Sequence, residues 1–325
     1  MKKVIVIISL LFIMVNLGFS NDKQKVIFDC DLGGDIDDAF AVALLLASPE
    51  FEILGFVMDH GLTKNRAQVA CRLLYETGRE DIPVVVGKET PGIVGKDKEP
   101  GPYTQQFHWA KGFDRIKPIQ QNAVDFIIEN IRKYPNEVIL FTVGPVPNIA
   151  DVIEKDPDAL KLAKHIYSMF GSFYIGYGSN PVPSAEWNVF ADVKSSQKFT
   201  ESGAKITYAG LDVTTMVNLD EENRSRLWMR ESPLTDALSA LYTLWRFERY
   251  AHPDPTLFDV VPIGMVLWPE LFTTRKAFIK VTDSGYTVID ESKEPNCEIG
   301  MTVKKEELIR RMMERLLKQN MRRSE

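Results

Sequence analysis

The chain has 325 residues, 45% hydrophobic and 26% charged, an ordinary globular composition and long enough for one large α/β domain. A formal net charge of −6 without a basic stripe argues against nucleic-acid polymers and anionic membrane surfaces as partners. Only three cysteines, Cys30, Cys71 and Cys297, are present, so there is no disulfide framework and room for one bridge at most.

Residues 1–20 read as a secretory leader. Met1-Lys2-Lys3 is a basic start, Val4 to Leu17 is an apolar run short for a span, and Gly18-Phe19-Ser20 is a small-x-small cleavage site. Cleavage before Asn21 removes Lys2 and Lys3 and moves the charge from −6 to −8. The expectation is an exported protein, periplasmic or secreted, with no stable membrane anchor. Its mature part, residues 21–325, is expected to form a single domain.

Val26-Ile27-Phe28 is an apolar strand that runs into the turn from Asp29 to Asp38. Gly33 and Gly34 allow that turn to be sharp. An apolar helix follows from Ala39 and stops at Ser48-Pro49. Five carboxylates, Asp29, Asp31, Asp35, Asp37 and Asp38, therefore crowd one strand end. In an open α/β sheet, ligands bind at that edge. Like charges this close repel unless a cation neutralises them, and carboxylate oxygens suit Ca²⁺ or Mg²⁺. A solvated acidic turn that caps a helix is the plainer reading. One aspartate fits it; five fit it poorly.

Residues 51–58 read as the second strand, 63–77 as a helix closed by Gly78, and 82–86 as a third strand. This β-α-β-α-β rhythm predicts a Rossmann-like α/β domain. Its mostly parallel central sheet is flanked by helices, with the active site at the strand carboxyl ends. His60 follows the second strand on the edge that carries the acidic turn, as a pocket residue or as a cap. Residues 88–118 hold many Gly and Pro and little periodicity. They read as a lid over the site or as a surface loop.

A helix is expected over 119–134 and a strand over 138–143, followed by the Gly144-Pro145 turn. Next come a helix over 151–165 with an interruption at Pro157, and a strand over 166–170. The loop over 171–188 carries glycines, tyrosines, Asn180, Glu186 and Asn188, a set suited to hydrogen-bonding a polar ligand. Further on lie a helix over 192–202, a strand over 205–209 and a long amphipathic helix over 234–250. Asp259 opens an apolar segment, as a helix N-cap does. An edge hairpin or meander over 275–303 and a charged amphipathic helix over 304–321 complete the chain.

These motifs resemble the inosine–uridine-preferring nucleoside hydrolase family over about residues 25–300. Asp29-Cys30-Asp31 and Asp37-Asp38-Ala39 match its Asp-x-Asp-Pro-Gly-x-Asp-Asp-Ala metal motif. The turn here has two extra residues, and Leu32 stands at the proline position. Gly144-Pro145-Val146-Pro147-Asn148-Ile149-Ala150 is similar to the family's Gly-Pro-Leu-Thr/Ser-Asn-Ile-Ala. Glu186-Trp187-Asn188, with Asn180 upstream, is similar to its Glu-Phe-Asn. Leu211-Asp212-Val213-Thr214 resembles another family segment, in which Asp212 reads as structural. Phe258-Asp259 and Pro269-Glu270-Leu271-Phe272 resemble its His-Asp and Pro-Glu-Leu-Phe. His108-Trp109-Ala110-Lys111-Gly112 resembles the His-Gly-x-x-Gly of its mobile loop, and Asp59-His60 stands near its ribose-contacting Gly-Asn.

The resemblance implies a Ca²⁺-dependent N-ribohydrolase that splits a nucleoside into free base and ribose. It puts Asp31, Asp38, Asp259 and the Val143 carbonyl on the ion, with Asp31 taking the proton of the attacking water. It gives Asp37, Asn180, Glu186 and Asn188 to the sugar, and sets His60 and His108 beside the substrate. A homo-oligomer, dimer or tetramer, is also implied. Phe258 replaces the family's histidine, often the leaving-group acid, and a phenyl ring moves no proton. Three outcomes follow: His60, His108, Tyr174 or Tyr177 donates instead, the preferred base leaves easily, or activity is lost. The rival from another class is an exported, metal-holding nucleoside- or ribose-binding protein without turnover. A haloacid-dehalogenase-like phosphatase is the enzyme rival, through Phe28-Asp29-Cys30-Asp31; Asp37-Asp38 and Asp259 fit that chemistry less well.

Overall fold

Strand β1 (Gln24–Cys30) runs through the middle of the sheet, and every residue from Val26 to Cys30 is fully buried. Phe28 packs edge-on between Phe56 and Phe141, at ring-centroid distances of 6.0 and 6.3 Å. Truncating such a ring to alanine typically costs about 3–5 kcal/mol. The computed structural model describes residues 23–99, 104–249 and 251–324. The expected leader, residues 1–20, lies outside the described residues, as do Pro100, Gly101 and Pro102 of the expected lid and Tyr250. No helix of the described residues is long and apolar enough to cross a membrane.

The other strands are β2 (Phe51–Met58), β3 (Val84–Val86), β4 (Val138–Thr142), β5 (His165–Met169), β6 (Ile206–Ala209), β7 (Phe272–Ala277), β8 (Ile279–Val281), β9 (Thr287–Ile289) and β10 (Cys297–Val303). Eight of them form one sheet in the order β3-β2-β1-β4-β5-β6-β10-β7. All neighbours are parallel except the β10–β7 edge pair. The expected edge meander is thus two devices: β7 and β10 close the sheet, while β8 and β9 form a separate hairpin. The strand order reverses between β1 and β4. Such a switch point opens a crevice at the strand carboxyl ends, the usual ligand position in this architecture.

Helix α1 (Asp37–Leu46) is buried on all sides, because it lies under the helices over 233–248, 260–267 and 305–318. Helix α2 (Thr63–Thr77) ends at Gly78, as expected, with φ +66°. A Cβ there would overlap the Arg322 carbonyl, so glycine is required. A one-turn helix α3 (Phe107–Ala110) interrupts the long loop. Helix α4 (Ala123–Lys133) starts later than expected because Asn122 caps it, accepting from the backbone N–H of Val124 and Asp125.

Helix α5 (Pro147–Lys155) starts and ends earlier than expected: Pro147 fits its first turn, and Pro157 cannot continue it. A short helix α6 (Trp187–Ala191) begins inside the expected loop, and the helix expected over 192–202 is α7 (Val193–Thr200), capped by Asp192. Short α8 (Leu211–Thr214) and α9 (Glu221–Trp228) lead to α10 (Pro233–Glu248), α11 (Val260–Leu267) and α12 (Lys305–Lys318). Cys30, Cys71 and Cys297 are all free and buried.

Candidate active site

The acidic turn opens onto the switch-point crevice. Asp37 and Asp38 form the first turn of α1, where Ile36 holds the N-cap position without a side-chain bond. Asp259 holds the N-cap position of α11 and likewise makes no capping bond. Its carboxylate turns instead to α1: one oxygen each from Asp37, Asp38 and Asp259 lie within 4.8 Å of one another. All three residues are at most 4% exposed. Burial first, and then the charges of neighbouring aspartates, push their carboxyls well above the ordinary range. Asp38 Oδ1 meets no hydrogen-bond donor among the described residues.

One orphaned oxygen among three crowded buried carboxyls is a costly arrangement alone. A hard divalent cation relieves all of it, and this all-oxygen donor set fits one. The Val143 carbonyl lines the same cavity and accepts from Asn188 Nδ2 at 2.8 Å. A carbonyl has two lone pairs, so one remains for an ion.

Asp31 adjoins this cluster, and its charge is the largest electrostatic influence on Asp38 after burial. It stands at a close approach of two turns. A Cβ on Gly144 would sit 2.8 Å from Asp31 Oδ1, which makes the glycine of Gly144-Pro145 a requirement of the site. Arg66 of α2 reaches Asp31 from the other side, with Nη2 3.4 Å from Oδ2. Of the pair Asp59-His60, only His60 reaches the cavity wall. Asp59 is fully buried behind it, and burial followed by the charge of Asp29 raises its carboxyl well above the ordinary range.

The opposite wall is the loop after β5. Glu186 caps α6 and accepts from the backbone N–H of Asn188 at 2.8 Å, Gly171 at 3.0 Å and Val189 at 3.3 Å. Burial lifts its carboxyl to about 7 against those donors. Asn188 spends its Nδ2 on the carbonyls of Val143 and Met169, which leaves Oδ1 as its acceptor. Tyr177 is 42% exposed, and its hydroxyl turns toward Glu186. That oxygen accepts from the Trp187 N–H at 2.9 Å and lies 3.5 Å from Glu186 Oε1. Burial and Glu186 hold the phenol well above its ordinary range, so it keeps its proton. Tyr177 meets Phe258 edge-to-face at 6.1 Å. Asp212 is structural, as expected: it accepts the backbone N–H of Phe173, Tyr174 and Ile175.

The cavity between the walls measures about 380 Å³. Asp31, Asp37, Asp38, Asp259, Val143, His60, Glu186 and Asn188 all line it, so most of the sequence-derived set converges. Two members do not. Asn180 is exposed, and its side chain accepts the Val182 N–H within its own turn. His108 is exposed on the outer side of α3, while its neighbour Phe107 faces the cavity. His60 Nδ1 is 2.7 Å from Thr90 Oγ1, and burial lowers its pKa to about 4, so the ring is neutral near pH 7.

Sequence reasoning missed Arg66, Gln106 and Phe107. Gln106 ties the loop to the acidic turn through the carbonyls of Gly34 at 3.0 Å and Asp35 at 2.8 Å. The Phe107 ring fills the space that a Cβ on Gly33 would enter. Arg66 had one available signal, its place in the first helical turn after a strand end on the acidic edge.

Comparison with known proteins agrees with this architecture. The profile of the family described as Inosine-uridine preferring nucleoside hydrolase matches residues 26–310. Uridine nucleosidase 1 of Arabidopsis thaliana is 29% identical over 292 residues, covering 84% of each chain. The Pyrimidine-specific ribonucleoside hydrolase RihA of Citrobacter koseri is 27% identical, covering 90% of this chain and 97% of its own. Among solved structures, the plant nucleoside hydrolase PpNRh1 superposes with a TM-score of 0.79 at 25% identity, covering 92% of this chain and all of its own. The protein is a hydrolase of N-glycosyl compounds. Within that class, it belongs to the inosine-uridine preferring nucleoside hydrolase family.

Proposed function

We propose that the protein cleaves ribonucleosides to free base and ribose at a Ca²⁺ site formed by Asp31, Asp38, Asp259 and the Val143 carbonyl. The observation that carries this is the buried Asp37–Asp38–Asp259 cluster, with its orphaned Asp38 oxygen, in the switch-point crevice. When bound, the cation neutralises these carboxylates and acidifies water and hydroxyls beside it. Asp31 accepts the proton of the attacking water. Asp37 and the Asn188 Oδ1 orient the sugar hydroxyls, and Glu186 holds the loop that presents Asn188. As the C1′–N bond breaks, positive charge grows on the sugar, and the acidic wall favours it. Phe107, Tyr177, Trp187 and Phe258 enclose the departing base.

Reducing-sugar release with Ca²⁺ tests this over inosine, uridine, adenosine, cytidine and p-nitrophenyl riboside. Release abolished by EDTA is the expected result. Activity confined to the nitrophenyl compound locates the defect in leaving-group protonation, where Phe258 stands. No release from any substrate overturns the proposal. We also propose export, on the basic, apolar and small-x-small pattern of residues 1–20. Terminal sequencing should then find Asn21 first, and a retained Met1 would refute cleavage.

A further inference from the structure

Arg66 is only 6% exposed, yet it lines the acidic cavity. Its guanidinium is committed in three directions. Nε donates to the His60 carbonyl at 2.8 Å, Nη1 donates to the Leu32 carbonyl at 3.1 Å, and Nη2 faces Asp31 Oδ2 at 3.4 Å. Two glycines make room for it. A Cβ on Gly61, which has φ +62°, would sit 3.2 Å from Nη2, and one on Gly34 would sit 3.4 Å from Nη1. The Phe107 ring covers it at 5.9 Å. A guanidinium held by two carbonyls and flanked by two glycines is a fixed fork, where a lysine would be a mobile point charge.

We propose that Arg66 is a positioning residue that anchors Asp31 Oδ2 and so leaves Oδ1 to meet the cation and the attacking water. The free oxygen is the one held against the Gly144 turn, and Asp31 and Val143 both line the cavity. This rests on the cation reading of the acidic wall. Arg66 therefore acts as an outer partner that aims a ligand, and removing such partners typically costs about 10–100-fold in metal affinity. The competing account is architectural: Arg66 merely staples the Leu32 and His60 turns, and Asp31 is incidental.

A double-mutant cycle on Ca²⁺ binding separates these accounts. Ca²⁺ affinity is read from the shift in melting temperature of the whole protein across a Ca²⁺ titration that extends into millimolar concentrations. Arg66→Met should weaken Ca²⁺ binding about 10–100-fold when Asp31 is present, and add nothing further in the Asp31→Ala background. Equal weakening in both backgrounds, no weakening, or tighter binding would each overturn the inference. Wild-type protein that binds no Ca²⁺ would overturn the metal reading itself, and this inference with it. Arg66→Lys keeps the charge and loses the fork; it carries the same cycle if the methionine variant does not fold, with a smaller loss expected.

Discussion

Glu186 and Asp38 are both buried carboxylates on one cavity, 2% and 1% exposed. Glu186 is met by three backbone N–H groups and a tyrosine hydroxyl. Asp38 has an oxygen that meets no donor and shares its space with two more aspartates. Burial raises both carboxyls, so burial does not distinguish them. The partners do. A carboxylate saturated by its own loop is architecture, and one left unsaturated among its likes is a place for a cation. The family resemblance gives Asp38 to the ion and Glu186 to the sugar, and does not mark Glu186 as the carboxylate already saturated by its own loop.

The largest test of that contrast is kinetic. Asp31→Ala should lower kcat by about 10²–10⁴-fold, the usual range for a lost general base. A rate within tenfold of wild type would remove Asp31 from that role. Next comes cation-linked stability. Ca²⁺ at a thousand times its dissociation constant should add about 4 kcal/mol, seen as a higher melting temperature than in EDTA. Asp38→Asn should lose that increment and, in EDTA, melt above the wild type because one repelling charge is gone. Identical wild-type melting with Ca²⁺ and EDTA would break the contrast between the walls.

His60 separates a buried neutral base from both kinds of carboxylate. Its pKa falls from 6.5 unfolded to about 4 folded, mainly through burial. A depressed folded value stabilises fully above the unfolded pKa and is lost as pH falls through about 4. The loss amounts to about 3 kcal/mol. Denaturant titrations of His60→Gln should show a flatter decline between pH 6.5 and 4 than the wild type; parallel curves would show that another group governs that window. The smallest effect belongs to the saturated wall. Glu186→Gln should cost about 1–3 kcal/mol of stability and leave Ca²⁺ affinity within about twofold. A larger fall in affinity would merge the two walls into one machine.

The strand, acidic turn and first helix were legible because each is local: an apolar run, two glycines and a paired aspartate are neighbours in the chain. Asp259 was legible only through family resemblance, since nothing near it repeats the acidic pattern. The loop over 171–188 was recognised as part of the site, but Glu186 as an N-cap was not, because glutamate is a poor signal for that position. Two assignments failed on the geometry of single turns. In α3 the one-turn helix gives the inward direction to Phe107 and the outward one to His108. Asn180 closes its own turn onto Val182. Arg66 and Gln106 owe their roles to contacts across the fold, which periodicity does not encode.

The provenance of the acidic cluster has a kinetic corollary. Asp37 and Asp38 come from the first helix, whereas Asp259 arrives late in the chain, on α11. Those helices also pack on one another. Packing of α1 against α11 brings the three oxygens together, so the cluster forms only with that long-range contact. Occupancy should therefore slow amide exchange in the central strands as well as in the turn, and retard global unfolding. A fragment ending before Asp259 would keep the acidic turn and lack that long-range clasp.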